Sequence, residues 1–408
     1  MDAVKRFLQY VGFDTQSQEE SSTFPSTLKQ KKLGQFLLEE LISLGIQDAR
    51  MDEYGYVYAK IPSNCGSKKT LGLISHMDTS PDASGKDIHP RIVKYEGGDI
   101  KVSEGLYLTE EELKNKIGHE LVITDGTTLL GADDKAGIAI IMSVVEAVLK
   151  ENRPHPNFIV CFTPDEEVGA GTDHFDFEWY RKNASDAYTY TMDGGDIQEI
   201  NYETFNAASA KVTIHGRSIH PGSAKDRMLN AQIVAMDYFA HLPTLERPEH
   251  TENYQGFYHL TGMEGDVSNS HLSFIIRDHN RMKFEERKEY MHRVAEELNH
   301  QYGEGTIHVE IEDSYYNMRE PILEKKALLD LAKKALCKNK IEPVERPIRG
   351  GTDGARLSFE GIPCPNLGTG GENFHGPLEY LDTHDFKMMI QVVIDLAYLL
   401  IEDTNCEK

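Results

Sequence analysis

The chain is 408 residues long, which at ~100–200 residues per domain predicts two or three domains, or one large domain carrying an insertion. Its 67 acidic residues against 43 basic ones leave a net charge of -24, a balance that repels phosphate backbones and anionic bilayers and so sets nucleic acid and membrane surfaces aside as partners. Hydrophobic residues at 39% are enough for a sizeable core and exclude a disordered chain.

In chain order, the N-terminal MDAVKRFLQYVGFDT lacks the apolar stretch of a signal peptide, and the expected location is the cytoplasm. Five cysteines, Cys65, Cys161, Cys337, Cys364 and Cys406, show no C-x-x-C pair or regular spacing and read as reduced thiols. Apolar residues at helical spacing predict helices over 28–44, 136–149, 284–298, 322–336 and 386–401. Short apolar runs over 70–75, 157–162, 187–192 and 362–367 suit strands buried on both faces beneath helices. Between 205 and 317 the character changes: AASAKVTIHG, LSFIIRD, a helix near 285–299 and IHVEIED make a β, β, α, β succession. The expected architecture is therefore an α/β domain built from 1–204 and 318–408, with a small α+β domain of 205–317 inserted into it.

The residues that follow the buried runs are the informative ones. His76-Met77-Asp78 follows LGLIS, Asp165-Glu166-Glu167 follows FIVCFTP, Asp193-Gly194-Gly195 follows AYTYTM, His375 follows PCPNLGTGGENF, and Asp133-Asp134 opens a helix. In an open α/β sheet, ligands gather beyond the carboxyl ends of the strands. Each element alone is weak, since the His-x-acid pattern recurs at His174, His250 and His308. Together, two imidazoles and at least three carboxylates without a thiolate suit a divalent pair bound through nitrogen and oxygen, whereas a structural zinc more often uses cysteine.

The segments HMDTSPDASG, LLGADDKAGIA, TPDEEVGAG, TMDGG, IHPGSAKDRMLNA, IRGGTDGARLS and PCPNLGTGGENFHG resemble, in order and spacing, the successive motifs of the co-catalytic zinc exopeptidase family. The resemblance implies a phosphorylase/hydrolase-like catalytic domain with a mixed sheet flanked by helices, plus an inserted α+β lid domain. It also implies two zinc ions, His76 and Asp193 holding one, Glu167 and His375 the other, and Asp133 bridging them. Glu166 is then the general base and Asp78 the carboxylate behind His76. The chemistry implied is attack of a metal-bridging hydroxide on a peptide bond, and DSYYNMRE and GFYHLTGMEG point to the tripeptide-aminopeptidase members, which remove the N-terminal residue.

Physical reasons accompany each role. An Asp two residues beyond a ligating His can fix its second ring nitrogen. Neighbouring side chains in Glu166-Glu167 diverge, so one can ligate while the other moves protons. Arg277 in IIRD and Arg349 in IRGGTDG sit in motifs that resemble substrate-carboxylate sites, where a guanidinium fork matches a carboxylate. By the same resemblance His220 in SIHPG stabilises the oxyanion from the lid. RDHNR departs from the family with His279 and Asn280 where an aromatic and an acid are expected. The implied partner is a small peptide substrate, with a homodimer through the lid domain. The alternatives are a dipeptidase, carboxypeptidase or N-acyl hydrolase on the same site, or a non-catalytic two-lobed peptide binder, which has no use for a free Glu166.

Overall fold

The structure, a computed structural model, describes residues 1–402; Cys406 lies outside them, and the other four cysteines are free thiols. The chain forms two compact units. One contains Met1–Tyr202, Glu320–Arg346 and the segment from Thr352 onward; the other contains Glu203–Arg319 together with Pro347–Gly351. The strap Pro347–Gly351 was expected in the first unit. It belongs to the second because Ile348 donates its N–H to the Glu203 carbonyl at 2.8 Å and Arg349 reaches the carbonyls of Thr251, Asn253 and Gln255.

The first unit is built on an eight-stranded mixed sheet in the order Arg50–Met51, Val57–Ile61, Asn157–Thr163, Thr70–His76, Ala187–Gly194, Asn366–Gly368, Glu199–Asn201, Val344–Glu345. The four strands from Asn157–Thr163 to Asn366–Gly368 are mutually parallel, so their carboxyl ends share one edge. Both faces are covered, which explains the uninterrupted apolar runs. On one face Ile74, Ile159 and Cys161 pack with Tyr56, Phe175, Tyr180 and Leu357. Helix Ala132–Glu151 packs against strands Thr70–His76 and Ala187–Gly194 and against helices Ala3–Val11 and Thr383–Glu402. Gly137 is what lets that helix approach: a Cβ there would run into the Met192 carbonyl, Ser75 Oγ and Asp134 Oδ1.

Two sequence expectations are corrected here. The helix expected over 322–336 is two, Arg319–Glu324 and Ala327–Lys338. The strand expected over 362–367 shrinks to Asn366–Gly368, because Pro363 and Pro365 cannot donate to a ladder; Ile362 and Cys364 fill the apolar cluster instead. A second, antiparallel sheet, in the order Gly371–Glu372, Tyr380–Asp382, Glu120–Ile123, Arg91–Lys94, carries the segment that contains His375.

The second unit is an antiparallel four-stranded sheet in the order Phe257–Gly265, Asn269–Asp278, Asn206–His215, Ile307–Tyr315. Leu272, Phe274 and Ile276 alternate inward to pack with Val234 and Tyr238 of helix Ala231–His241 and with Phe284, Met291 and Val294 of helix Arg281–Tyr302. The succession is thus β, α, β, β, α, β rather than the expected β, β, α, β. Strand Phe257–Gly265 is buried only at Phe257 and Tyr258, is mostly exposed beyond them and has a bulge between Leu260 and Gly262, so it shows no clean alternation. No helix among the described residues is long and apolar enough to cross a membrane.

Candidate active site

His76 is the last residue of strand Thr70–His76 and is buried. Its Nδ1 lies 3.0 Å from the backbone carbonyl of Asp78. A carbonyl only accepts, so Nδ1 carries a hydrogen and Nε2 is the nitrogen that faces the pit. There Nε2 meets Asp133 Oδ1 at 2.9 Å and Asp193 Oδ1 at 3.4 Å. The Asp78 carboxylate, expected to orient His76, is 3.4 Å from Nδ1 and is engaged elsewhere: its two oxygens accept the backbone N–H groups of Glu166 (3.0 Å) and Glu167 (3.2 Å).

Asp133 and Asp134 stand at the head of helix Ala132–Glu151 with non-helical backbone angles, so their side chains leave the helix stack. Asp133 Oδ2 lies 3.3 Å from His375 Nε2, while its Oδ1 faces His76. One carboxylate therefore stands between two imidazoles. Asp134, more deeply buried than Asp133, is occupied by Ser75 Oγ and by the N–H groups of His76 and Gly137 at 3.2 Å each.

Of the acidic triplet after strand Asn157–Thr163, Asp165 turns away and accepts the Ser26 N–H and Oγ–H (2.5 Å each) and Gln30 Nε2 (2.6 Å). Glu167 Oε2 lies 2.9 Å from His375 Nε2, and Glu167 Oε1 is buried without a hydrogen-bond partner. His375 Nδ1 lies 3.3 Å from Asp82 Oδ2. Asp193 accepts from Thr352 Oγ1 at 3.3 Å.

The electrostatics follow from this crowding. Asp133 is held well below the usual carboxylate range, because His375 and His76 outweigh the burial that opposes them. Burial and then the neighbouring Asp133 push Glu167 up to about 8. Burial pushes Asp193 up to about 6, and burial and then Asp193 push Glu166 up. Bonds to Asp133 and then Glu167 raise His375 to about 11. The pit thus holds more carboxyl groups than imidazoles, and its donors are imidazole nitrogens and carboxylate oxygens, one of them without a hydrogen-bond partner among the described residues. That set fits divalent cations. Donor atoms of His76, Asp133 and Glu167, and of His76, Asp134 and Asp193, lie within 4.8 Å of one another. A third such group, His119 with Asp382 and Asp385, already has Lys116 Nζ at 2.6 Å from Asp385 and 3.3 Å from Asp382.

The remaining sequence candidates lie in the second unit. His220 accepts the Gly222 N–H on Nδ1 at 3.1 Å, which leaves Nε2 as the nitrogen that donates. Arg277 stands on strand Asn269–Asp278, on the row opposite the apolar core; its Nη1 donates to the Ala208 and Ile276 carbonyls, and its guanidinium lies 5.6 Å from the Tyr315 ring. Both terminal nitrogens of Arg349 donate to backbone carbonyls, Nη1 to Asn253 (2.8 Å) and Gln255 (2.9 Å), Nη2 to Thr251 (3.3 Å), and Nη2 also reaches Thr251 Oγ1 (3.0 Å). The fork expected to meet a substrate carboxylate is occupied in this structure. His279, the departure noted in RDHNR, is buried, stacks on Phe205 and donates Nδ1 to the Thr204 carbonyl at 3.0 Å.

Sequence reasoning assigned no role to Asp82, Asp134, Thr352 or Asp353. Asp353, in GGTDG, is buried beside the pit, accepts from Thr163 Oγ1 at 2.8 Å, and is pushed up to about 7 by burial. The signal available for Asp82 and Asp134 was their position inside the quoted motifs.

Comparison with known proteins gives the family. The family model of Peptidase family M20/M25/M40 matches residues 109–399. The chain is similar to Peptidase T of Alkaliphilus oremlandii, 48% identical with 97% of this chain and 98% of the relative covered, and to Peptidase T of Clostridium acetobutylicum, 47% identical over 98% and 99%. Among solved structures, aminopeptidase PepT from Bacillus cereus superposes with a TM-score of 0.75 over 98% of both chains, and a Staphylococcus aureus tripeptidase with 0.76 over 98% of this chain and 97% of that one; at 22% identity each supports the fold. With an α/β sheet that gathers imidazoles and carboxylates at one edge, and full-length relatives at nearly half identity, the chain belongs to Peptidase family M20/M25/M40.

Proposed function

We propose that the protein is a metallo-aminopeptidase that removes the N-terminal residue from tripeptides, as the names of its Peptidase T relatives suggest. The observation that carries the reading is Asp133, whose two oxygens face His76 Nε2 at 2.9 Å and His375 Nε2 at 3.3 Å, the disposition of a bridging carboxylate. His76 and Asp193 would hold one zinc ion, Glu167 and His375 a second, with Asp133 shared. When bound, such a pair supplies Lewis acidity toward a scissile carbonyl and lowers the pKa of water.

The chain's own residues do the rest. Glu166 is partly buried, its backbone N–H is anchored on Asp78, and its raised pKa suits a group that takes a proton from the attacking water and passes it to the leaving amine. His220, protonated on Nε2, is the proposed donor to the oxyanion, and Arg277 the proposed partner of the substrate carboxylate. A non-catalytic binder gives Glu166 no task.

The test is metal analysis of wild type and of Asp133→Ala. Two zinc ions in the wild type, both lost in the variant along with tripeptide hydrolysis, support the reading. One ion retained at full occupancy in Asp133→Ala refutes the bridging role.

A further inference from the structure

Glu379 is 1% exposed, and its carboxylate is filled by backbone amides. Oε2 accepts the N–H groups of Leu130 (2.6 Å) and Gly131 (2.8 Å), and Oε1 accepts that of Asp133 (3.0 Å). All three amides belong to the turn that delivers Asp133, in which Gly131 adopts φ 78 as the residue before helix Ala132–Glu151. Glu379 itself stands between His375 and strand Tyr380–Asp382. One buried carboxylate thus fastens the turn carrying Asp133 to the segment carrying His375. Both its oxygens thus accept from the backbone of that one turn.

We propose that Glu379 is a positioning residue for the metal centre, holding the Asp133 turn against the His375 segment so that the bridging carboxylate stands ready before any ion binds. The proposal rests on the two-ion reading above. Partners that orient metal ligands shape affinity nearly as strongly as the ligands do. No other side chain touches the backbone of both Leu130 and Asp133 among the hydrogen bonds of the described residues.

The test is Glu379→Gln in the full chain. An amide presents one oxygen and one NH2, so either the Leu130 and Gly131 pair or Asp133 must face a donor instead of an acceptor. Zinc affinity, read by competition with a chromophoric chelator, should fall about 10- to 100-fold. The melting temperature of the zinc-free variant is read alongside: a lowered melting temperature with unchanged zinc affinity assigns Glu379 a purely structural role and overturns the proposal. If the variant does not fold, hydrogen exchange of chelated wild-type protein decides. Slow exchange at Leu130, Gly131 and Asp133 supports a turn held without metal, and exchange as fast as in exposed loops overturns it. A wild type that takes up no zinc would instead overturn the two-ion reading.

Discussion

The Nδ1 of His76 lies 3.0 Å from the backbone carbonyl of Asp78, nearer than the Asp78 carboxylate at 3.4 Å. The tautomer that turns Nε2 toward the pit is therefore secured by main chain, and the carboxylate is released to cap the two amides of Glu166 and Glu167. Asp78 links His76 to the Glu166-Glu167 turn rather than serving the imidazole alone. Asp78→Ala should leave two buried amides without an acceptor, each unmet group costing about 1–3 kcal/mol. Asp78→Asn keeps one acceptor and should lose less. Steady-state kinetics with zinc titration tests this order; equal losses in the two variants would return Asp78 to a role on His76 only.

A free Glu166 is the feature that separates an enzyme from a binder. Glu166→Gln should retain zinc and bind a tripeptide with affinity close to wild type while turnover falls by about 10² to 10⁴. Isothermal titration at a peptide concentration that the variant cannot consume, followed by single-turnover kinetics, measures both. A variant with near wild-type turnover would remove Glu166 from the proton path.

The strand ends were legible because two properties coincide there: an uninterrupted apolar run marks a strand covered on both faces, and the polar residues just past it have only one edge to occupy. His76, Glu166, Glu167, Asp193 and His375 stood out in this way, and Asp133 with Asp134 as the acids that open a helix. Glu379 did not stand out, and the role of Asp134 was not legible, since each acts on backbone amides, and nothing in a side-chain pattern records which amides converge in space. The contacts of Arg349 were hidden for a related reason. IRGGTDG shows a guanidinium beside flexible glycines, yet not that carbonyls of 251–255 fold onto it. Strand Phe257–Gly265 escaped because an edge strand with one face in water and glycines along it carries little periodicity.

Stability of the first unit should depend on a buried ion cluster distant from the pit. Arg6, 1% exposed, donates Nε to Glu40 (2.9 Å), Nη1 to Ser143 (2.9 Å) and Nη2 to Glu146 (2.6 Å), and Glu146 also accepts the N-terminal ammonium at 2.8 Å. Burial tends to raise the Glu146 carboxyl, but Lys150, the N-terminal ammonium and Arg6 hold it down at about 2. A carboxylate depressed on folding adds stability above its ordinary value of 4.5, and that contribution drains away as pH falls toward 2. Arg6→Met, which takes the cation from Glu40 and leaves Glu146 with Lys150 and the ammonium, should cost up to about 3–5 kcal/mol at neutral pH. Thermal melts across pH should show the gap between wild type and variant narrowing below about pH 4 as Glu146 takes up a proton. A constant gap would show that Arg6 acts through packing alone.

On the function proposed above, substrate selection turns on which arginine answers the peptide's C-terminal carboxylate. Among the described residues Arg277 keeps Nη2 and Nε without a hydrogen bond, whereas both terminal nitrogens of Arg349 hold the carbonyls of Thr251, Asn253 and Gln255. A charged hydrogen bond is worth about 1.5–3 kcal/mol, so amidating a tripeptide's C-terminus should lower kcat/KM by one to two decades in the wild type. Arg277→Ala should lose the same amount on the free acid and almost nothing further on the amide, because the group it pairs with is already gone. Arg349→Ala should behave differently: it loosens the 251–255 segment, so acid and amide should fall together. Kinetics on the four combinations of variant and substrate, with wild type on both, decide the assignment. Should Arg349→Ala reproduce the acid-selective loss and Arg277→Ala leave both substrates unaffected, then the carbonyls of 251–255 give way to substrate and Arg349 is the carboxylate partner after all. Equal cleavage of acid and amide by the wild type would set aside recognition of the C-terminal charge altogether, and with it the preference for tripeptides.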